Sequence, residues 1–178
     1  MPFNLLVTSC FHQGTTFKDE NDSPRIVLNV DSNREKIILF RIDEDGHMNT
    51  PFRIAYNMND DGDKICDLLV YYKNLSSGEH FLVLTETKGK KFDDAANQII
   101  NTYKKMGLNN SLRHKKYCED IDIRVCCVSK RLNKYTNTDA KQAKGKIINT
   151  INIDKNDCAF VDPYNFIRFL RGEKISTV

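Results

Sequence analysis

A chain of 178 residues, 40% hydrophobic and 29% charged, is long enough to bury a core as one domain without crosslinks and too apolar for a disordered chain. No apolar run approaches the roughly 18 residues of a membrane span, and the short apolar start lacks the basic lead of a signal peptide, so the cytoplasm is the expected compartment. The net charge of +3 hides an asymmetry: residues 1–87 carry 8 Lys/Arg against 14 Asp/Glu, a net −6, and residues 88–178 carry 19 against 10, a net +9.

The first third reads as short strands over 25–30, 35–42 and 52–56, with turns at Asp43-Glu44-Asp45-Gly46 and Asn59-Asp60-Asp61-Gly62. Two apolar runs follow, Asp67-Leu68-Leu69-Val70-Tyr71-Tyr72 and Phe81-Leu82-Val83-Leu84-Thr85-Glu86-Thr87-Lys88, joined by the hairpin connection Asn74-Leu75-Ser76-Ser77-Gly78-Glu79. Both runs are apolar on both faces, the mark of interior strands. A helix is predicted over 94–106, with Asp93 or Asp94 as its cap, Gly107 after its end, and Ala96, Ile99, Ile100, Tyr103 and Met106 on its core face. A strand over 121–128 comes next, then a basic helix over 139–150. A last helix opens at Asp162-Pro163, carries Phe166, Ile167, Phe169 and Leu170, and stops at Gly172. This order predicts an α/β (α+β) fold with a mixed central sheet flanked by helices.

The cysteines form no C-x-x-C pair, and Cys126-Cys127 are strand neighbours that point to opposite faces. Reduced, buried thiols are expected. His12, His47, His80 and His114 have no ligand spacing, no glycine-rich phosphate loop is present, and Ser76-Ser77 has no identifiable acid–base partner.

The charges at the strand ends carry the chemistry. In an antiparallel hairpin centred between Ser76 and Ser77, partner numbers total 153, which sets Asp67 opposite Glu86. Their Cβ atoms would lie roughly 4.5–5.5 Å apart. Lys88, two residues beyond Glu86, leaves the same face. Two carboxylates so close repel, and a divalent cation removes the conflict. Asp67, Glu86 and the Thr87 carbonyl are hard oxygen donors suited to Mg²⁺, with Mn²⁺ as a substitute. Lys88 could hold an attacking water and stabilise charge developing on phosphorus.

Asp67 … Glu86-Thr87-Lys88 resembles the signature of the PD-(D/E)XK nuclease superfamily, the restriction-endonuclease-like fold. Lys64-Ile65-Cys66-Asp67-Leu68-Leu69-Val70, Leu84-Thr85-Glu86-Thr87-Lys88-Gly89 and Ala95-Ala96-Asn97-Gln98-Ile99 follow one another in family order, and the resemblance extends more weakly to the strand over 121–128. It implies a mixed sheet in the element order αβββαβ with the metal site at one end. The chain departs from the pattern in three places. Cys66 stands where proline is usual, no N-terminal helix offers the extra acidic ligand (Glu20 and Glu35 are the candidates), and Tyr103 follows Gln98 by five residues rather than four. Gln98 alone is therefore carried over to the catalytic group.

Lys90 and Lys91 at the start of the helix, and Lys130 and Arg131 with Lys134 and Tyr135 after the later strand, are candidates to hold nucleic acid. The function expected is a Mg²⁺-dependent endonuclease or exonuclease acting on DNA more readily than RNA, in restriction, phage defence or repair, with a homodimer as one assembly. Two rivals are a catalytically silent nucleic-acid- or protein-binding module of the same fold, and a protein in which the acid–lysine cluster is only a salt-bridge knot.

Overall fold

The computed structural model describes residues 5–18, 24–44, 49–60, 62–88, 91–108, 121–130, 132 and 137–175. A π-helical turn, α1 (Leu6–Cys10), leads into β1 (Phe11–His12), β2 (Thr16–Phe17), β3 (Ile26–Val27), β4 (Glu35–Arg41) and the short helix α2 (Pro51–Ala55). The hairpin strands β5 (Leu68–Asn74) and β6 (His80–Thr87) follow, then α3 (Phe92–Lys105), β7 (Asp122–Val128), α4 (Asn137–Ile151), β8 (Cys158–Val161) and α5 (Pro163–Leu170). Six strands form one mixed sheet in the order β1-β4-β5-β6-β7-β8, and β2 with β3 forms a separate pair. Pairing is antiparallel from β1 to β6 and parallel from β6 through β8. The α/β class with a mixed central sheet and flanking helices is as expected from the sequence.

The strand alternation divides the core into two layers. Leu69, Leu82, Leu84, Val125, Cys127 and Phe160 share one layer with Ile99 of α3 and Ile147 of α4. Leu68, Val70, Phe81, Val83, Cys126 and Val128 share the other with Phe166, Phe169 and Leu170 of α5 and with Phe17 and Ile26. Cys126 and Cys127 thus lie on opposite faces, as strand geometry requires. Cys10, Cys66, Cys126, Cys127 and Cys158 are all free and buried. Among the described residues, no helix is long and apolar enough to cross a membrane.

The hairpin register follows the residue count. Every β5–β6 pair from Leu68↔Thr85 to Lys73↔His80 totals 153. The turn closes with Asn74 N–H on the Glu79 carbonyl (2.8 Å) and Gly78 N–H on the Asn74 carbonyl (3.0 Å). The Asn74 side chain accepts from the amides of Ser76 and Ser77, and Gly78 supplies the positive φ of 77°.

Several local expectations are corrected. Residues 52–56 are helical rather than extended: the Thr50 side chain accepts from the Arg53 amide and Pro51 occupies the first turn, a start signal that outweighs the β-favouring composition. The strand expected over 25–30 is ordered as a ladder only at Ile26–Val27. α3 begins two residues earlier than expected, with Lys91 at its N-cap, and Asp93 and Asp94 sit inside the first turn, where they complement the helix dipole. β8, to which no element had been assigned, extends the sheet beyond β7. The helices at 137–151 and 163–170 form as expected, the latter capped by Asp162 on the amides of Tyr164 and Asn165.

Candidate metal and phosphate site

Asp67 immediately precedes β5, and Glu86 and Thr87 close β6. β6 and β7 run parallel with Thr87↔Val128 in register, and the Lys88 amide continues the ladder onto the Val128 carbonyl at 3.0 Å. The cluster therefore sits at the carboxyl ends of the parallel strands, the end at which open α/β sheets place their ligands. Glu86 alternates with Leu82 and Leu84 and faces the α3 layer, opposite Cys127 on β7.

Glu86 is fully buried and Asp67 is 5% exposed. Lys88 Nζ lies 2.9 Å from Glu86 Oε1, and the lysine side chain keeps 30% of its surface open. Asp67 adopts a more specific pose than its opposition to Glu86 implies. Its Oδ2 accepts from the Thr87 amide at 2.7 Å and from the Thr87 hydroxyl. The carboxylate thus turns along the strand end, taking the place of the next ladder carbonyl of β5. Its own carbonyl accepts from the amides of Ile42 (3.0 Å) and Asp43 (3.4 Å), which moors it to the end of β4.

The thiols beside the cluster register its field. Burial pushes the Cys66 and Cys127 thiols well above the ordinary range, and the Glu86 and Asp67 charges push both further; Lys88 opposes the shift at Cys127. Two carboxylates against one ammonium make this sheet end suited to a cation. Among the described residues, no three His, Cys, Asp or Glu side chains form a metal-holding group. A hard divalent cation would thus take Asp67 and Glu86 and complete its shell with main-chain oxygen such as the Thr87 carbonyl and with water.

Gln98 is engaged with the main chain two residues before Asp67. Its side-chain amide donates to the Ile65 carbonyl at 3.0 Å, and the residue is 7% exposed. Two neighbours on α3, not anticipated from sequence, extend this brace. Asn101 donates to the Lys64 carbonyl at 2.8 Å, and the buried Thr102 hydroxyl accepts the Cys66 amide at 2.9 Å while donating to the Gln98 carbonyl at 2.8 Å. The two successive peptide units from Lys64 to Cys66, just before Asp67, are thus held by one helix. The sequence signal was their i, i+3 and i+4 spacing, a polar stripe beside the apolar face.

Glu35, a candidate extra ligand, lies at the opposite end of the sheet: it opens β4 opposite Asn74 and is bound by Arg171 at 2.7 Å. Its carboxylate is committed there, so it is not part of the Asp67–Glu86 cluster. Glu20 lies outside the described residues, as do Lys90, Arg131, Lys134 and Tyr135. Lys91 is exposed at the α3 N-cap with Asp94 at 3.8 Å, and Lys130 is exposed two residues beyond Val128. Both lie at the same sheet end as Lys88. His12 meets the Thr16 carbonyl at 2.7 Å and His80 the Gly78 carbonyl at 3.0 Å, each within its own turn; His47 and His114 are outside the described residues.

Compared with protein-family models, with curated proteins and with solved structures, the chain matches none.

Proposed function

We propose that the protein is a Mg²⁺-dependent nuclease that hydrolyses phosphodiester bonds in DNA, built in the manner of the PD-(D/E)XK superfamily. The observation that carries the reading is the placement of Asp67, Glu86 and Lys88 at one sheet end, where the hairpin register, carried one pair beyond Leu68↔Thr85, sets the two acids opposite each other. Three antiparallel strands β4-β5-β6, with the short helix α2 between β4 and β5, followed by α3 and the parallel strand β7, add support. So does the locality of the Glu86–Lys88 pair. An ion pair between residues two apart on one strand ties no distant segments together, so burying it gives the fold little in return for desolvating a carboxylate.

In this reading Asp67 and Glu86 would hold the cation, the attacking water would release its proton to solvent, and Lys88 would orient that water and stabilise the charge it brings. A bound Mg²⁺ would polarise the phosphodiester and make a coordinated water acidic. The Lys88 ammonium, reaching solvent from a buried carboxylate, donates to the attacking water and then to the oxygens that gain charge on phosphorus. Lys91 and Lys130 meet backbone phosphates at the same edge. The alternative of a silent binding module of the same fold draws on one observation, the complete burial of Glu86.

The test compares wild type with Lys88→Ala on single- and double-stranded DNA and on RNA, in Mg²⁺, Mn²⁺ or EDTA. Metal-dependent cleavage that falls by about 10²–10³-fold in the variant is expected. Equal cleavage by both proteins, or cleavage that survives EDTA, overturns the mechanism. Nucleic-acid binding without turnover in wild type selects the silent module.

A further inference from the structure

We propose that the Thr87 hydroxyl is a positioning group that fixes the rotation of the Asp67 carboxylate for metal binding; the inference rests on the metal-dependent reading of the site. Asp67 stands just outside the ladder, whose last pair is Leu68↔Thr85. Strand pairing therefore does not by itself set the rotation of its carboxylate. Thr87 does so with two donors, its amide and its hydroxyl, both on Oδ2. A carboxylate oxygen can accept two hydrogen bonds, and Thr87 places two donors on Oδ2. A cation that uses Asp67 would then meet a carboxylate whose rotation is already fixed.

The backbone on either side of Asp67 is equally constrained. The Asp67 carbonyl is held by Ile42 and Asp43, and the Cys66 amide by Thr102. Once the main chain is fixed at both ends, side-chain rotation is the remaining freedom, and Thr87 is placed to remove it. Thr87 is 1% exposed, so water cannot substitute freely for a lost hydroxyl. The role differs from that of the Thr87 carbonyl as a ligand, because a hydroxyl can be deleted while the carbonyl stays. Valine, of the same shape and strand preference, deletes the hydroxyl alone; serine keeps it.

The experiment titrates Mn²⁺ into wild type, Thr87→Val and Thr87→Ser by isothermal calorimetry, with Mg²⁺-induced thermal shift as a second readout. Loss of a group that orients a metal ligand weakens affinity by about 10–100-fold. That weakening is expected for Thr87→Val, with Thr87→Ser within about threefold of wild type on the same physical ground. In cleavage assays the metal requirement should rise in Thr87→Val more than the rate at saturating metal falls. Thr87→Ala covers the case in which valine disturbs folding. Wild-type affinity in both the valine and alanine variants overturns the inference and leaves the nuclease reading standing. Absence of Mn²⁺ binding in wild type overturns both.

Discussion

Each end of the central sheet buries a carboxylate beside a cation, yet the two pairs are built for different ends. At the hairpin-turn end, Glu35 is 3% exposed and meets Arg171 through two contacts, Nη2 to Oε1 at 2.7 Å and Nε to Oε2 at 3.1 Å; the Asp31 amide adds a third at 3.2 Å. This bidentate clamp joins β4 to the end of α5 across 136 residues, so it closes the fold. At the other end Glu86 meets Lys88, the residue just past the end of the same strand, at 2.9 Å, and a second carboxylate, Asp67, stands at the same sheet end. A planar guanidinium in a saturated geometry reads as structure. A point-charge ammonium that keeps one side open, at the end shared by two carboxylates, is what the proposed nuclease reading uses.

The sharpest break of this contrast exchanges the consequences of the two pairs. Glu86→Gln should reduce Mg²⁺-dependent cleavage by at least about 10²-fold while the urea midpoint changes little. Glu35→Gln should leave cleavage intact and lower stability by about 3–5 kcal/mol, the range for breaking a buried ion pair. A large stability loss in Glu86→Gln with unchanged cleavage would make the Asp67–Glu86 end a structural knot as well.

Metal binding separates the two ends next. Saturating Mg²⁺ at about 100 times its dissociation constant should stabilise wild type by about 2.7 kcal/mol. Glu86→Gln should lose that gain, and Glu35→Gln should keep it. Gln98→Ala should cost about 1 kcal/mol, because it strips a donor from the Ile65 carbonyl. Its activity should fall only several-fold, since Gln98 acts on Asp67 through the chain. Loss of cleavage as deep as in Lys88→Ala, at unchanged stability, would return Gln98 to the reacting group.

The smallest effect is in pH. Burial alone would raise the Glu35 carboxyl, but hydrogen bonds from Arg171 and the Asp31 backbone, together with the Arg171 charge, hold it below its ordinary value of 4.5. A folded-state value below the unfolded one stabilises the protein fully above that ordinary value, and the gain is lost as pH falls through the folded-state value. The stability gap between wild type and Glu35→Gln should therefore be constant from pH 7 to 5 and shrink below about 4.5. Urea titrations at pH 7, 5 and 3.5 measure it; a gap that widens on acidification contradicts the clamp.

Much of the frame was legible because its signals are local. The hairpin register followed from a turn that only one centring satisfies, and α5 from aspartate and proline at adjacent positions. The failures share a cause as well. Two- and four-residue strands such as β1 and β8 carry no periodicity, and residues 52–56 look extended by composition while Thr50 and Pro51 start a helix. At the candidate site, the residue types and their shared sheet end were legible from spacing. The turn of the Asp67 carboxylate onto Thr87 was not, because it depends on where β5 stops relative to β6.

By itself, then, the sequence determined that Asp67, Glu86 and Lys88 would share one end of a hairpin, since a fixed turn and a two-residue period leave no other arrangement. Only the tertiary structure decided the rest. It sent Glu35 to the far end with Arg171, and it turned Gln98, Asn101 and Thr102 into a brace on residues 64–66. Those outcomes depend on which distant elements pack together, and long-range packing is set by the whole core rather than by neighbours in the chain.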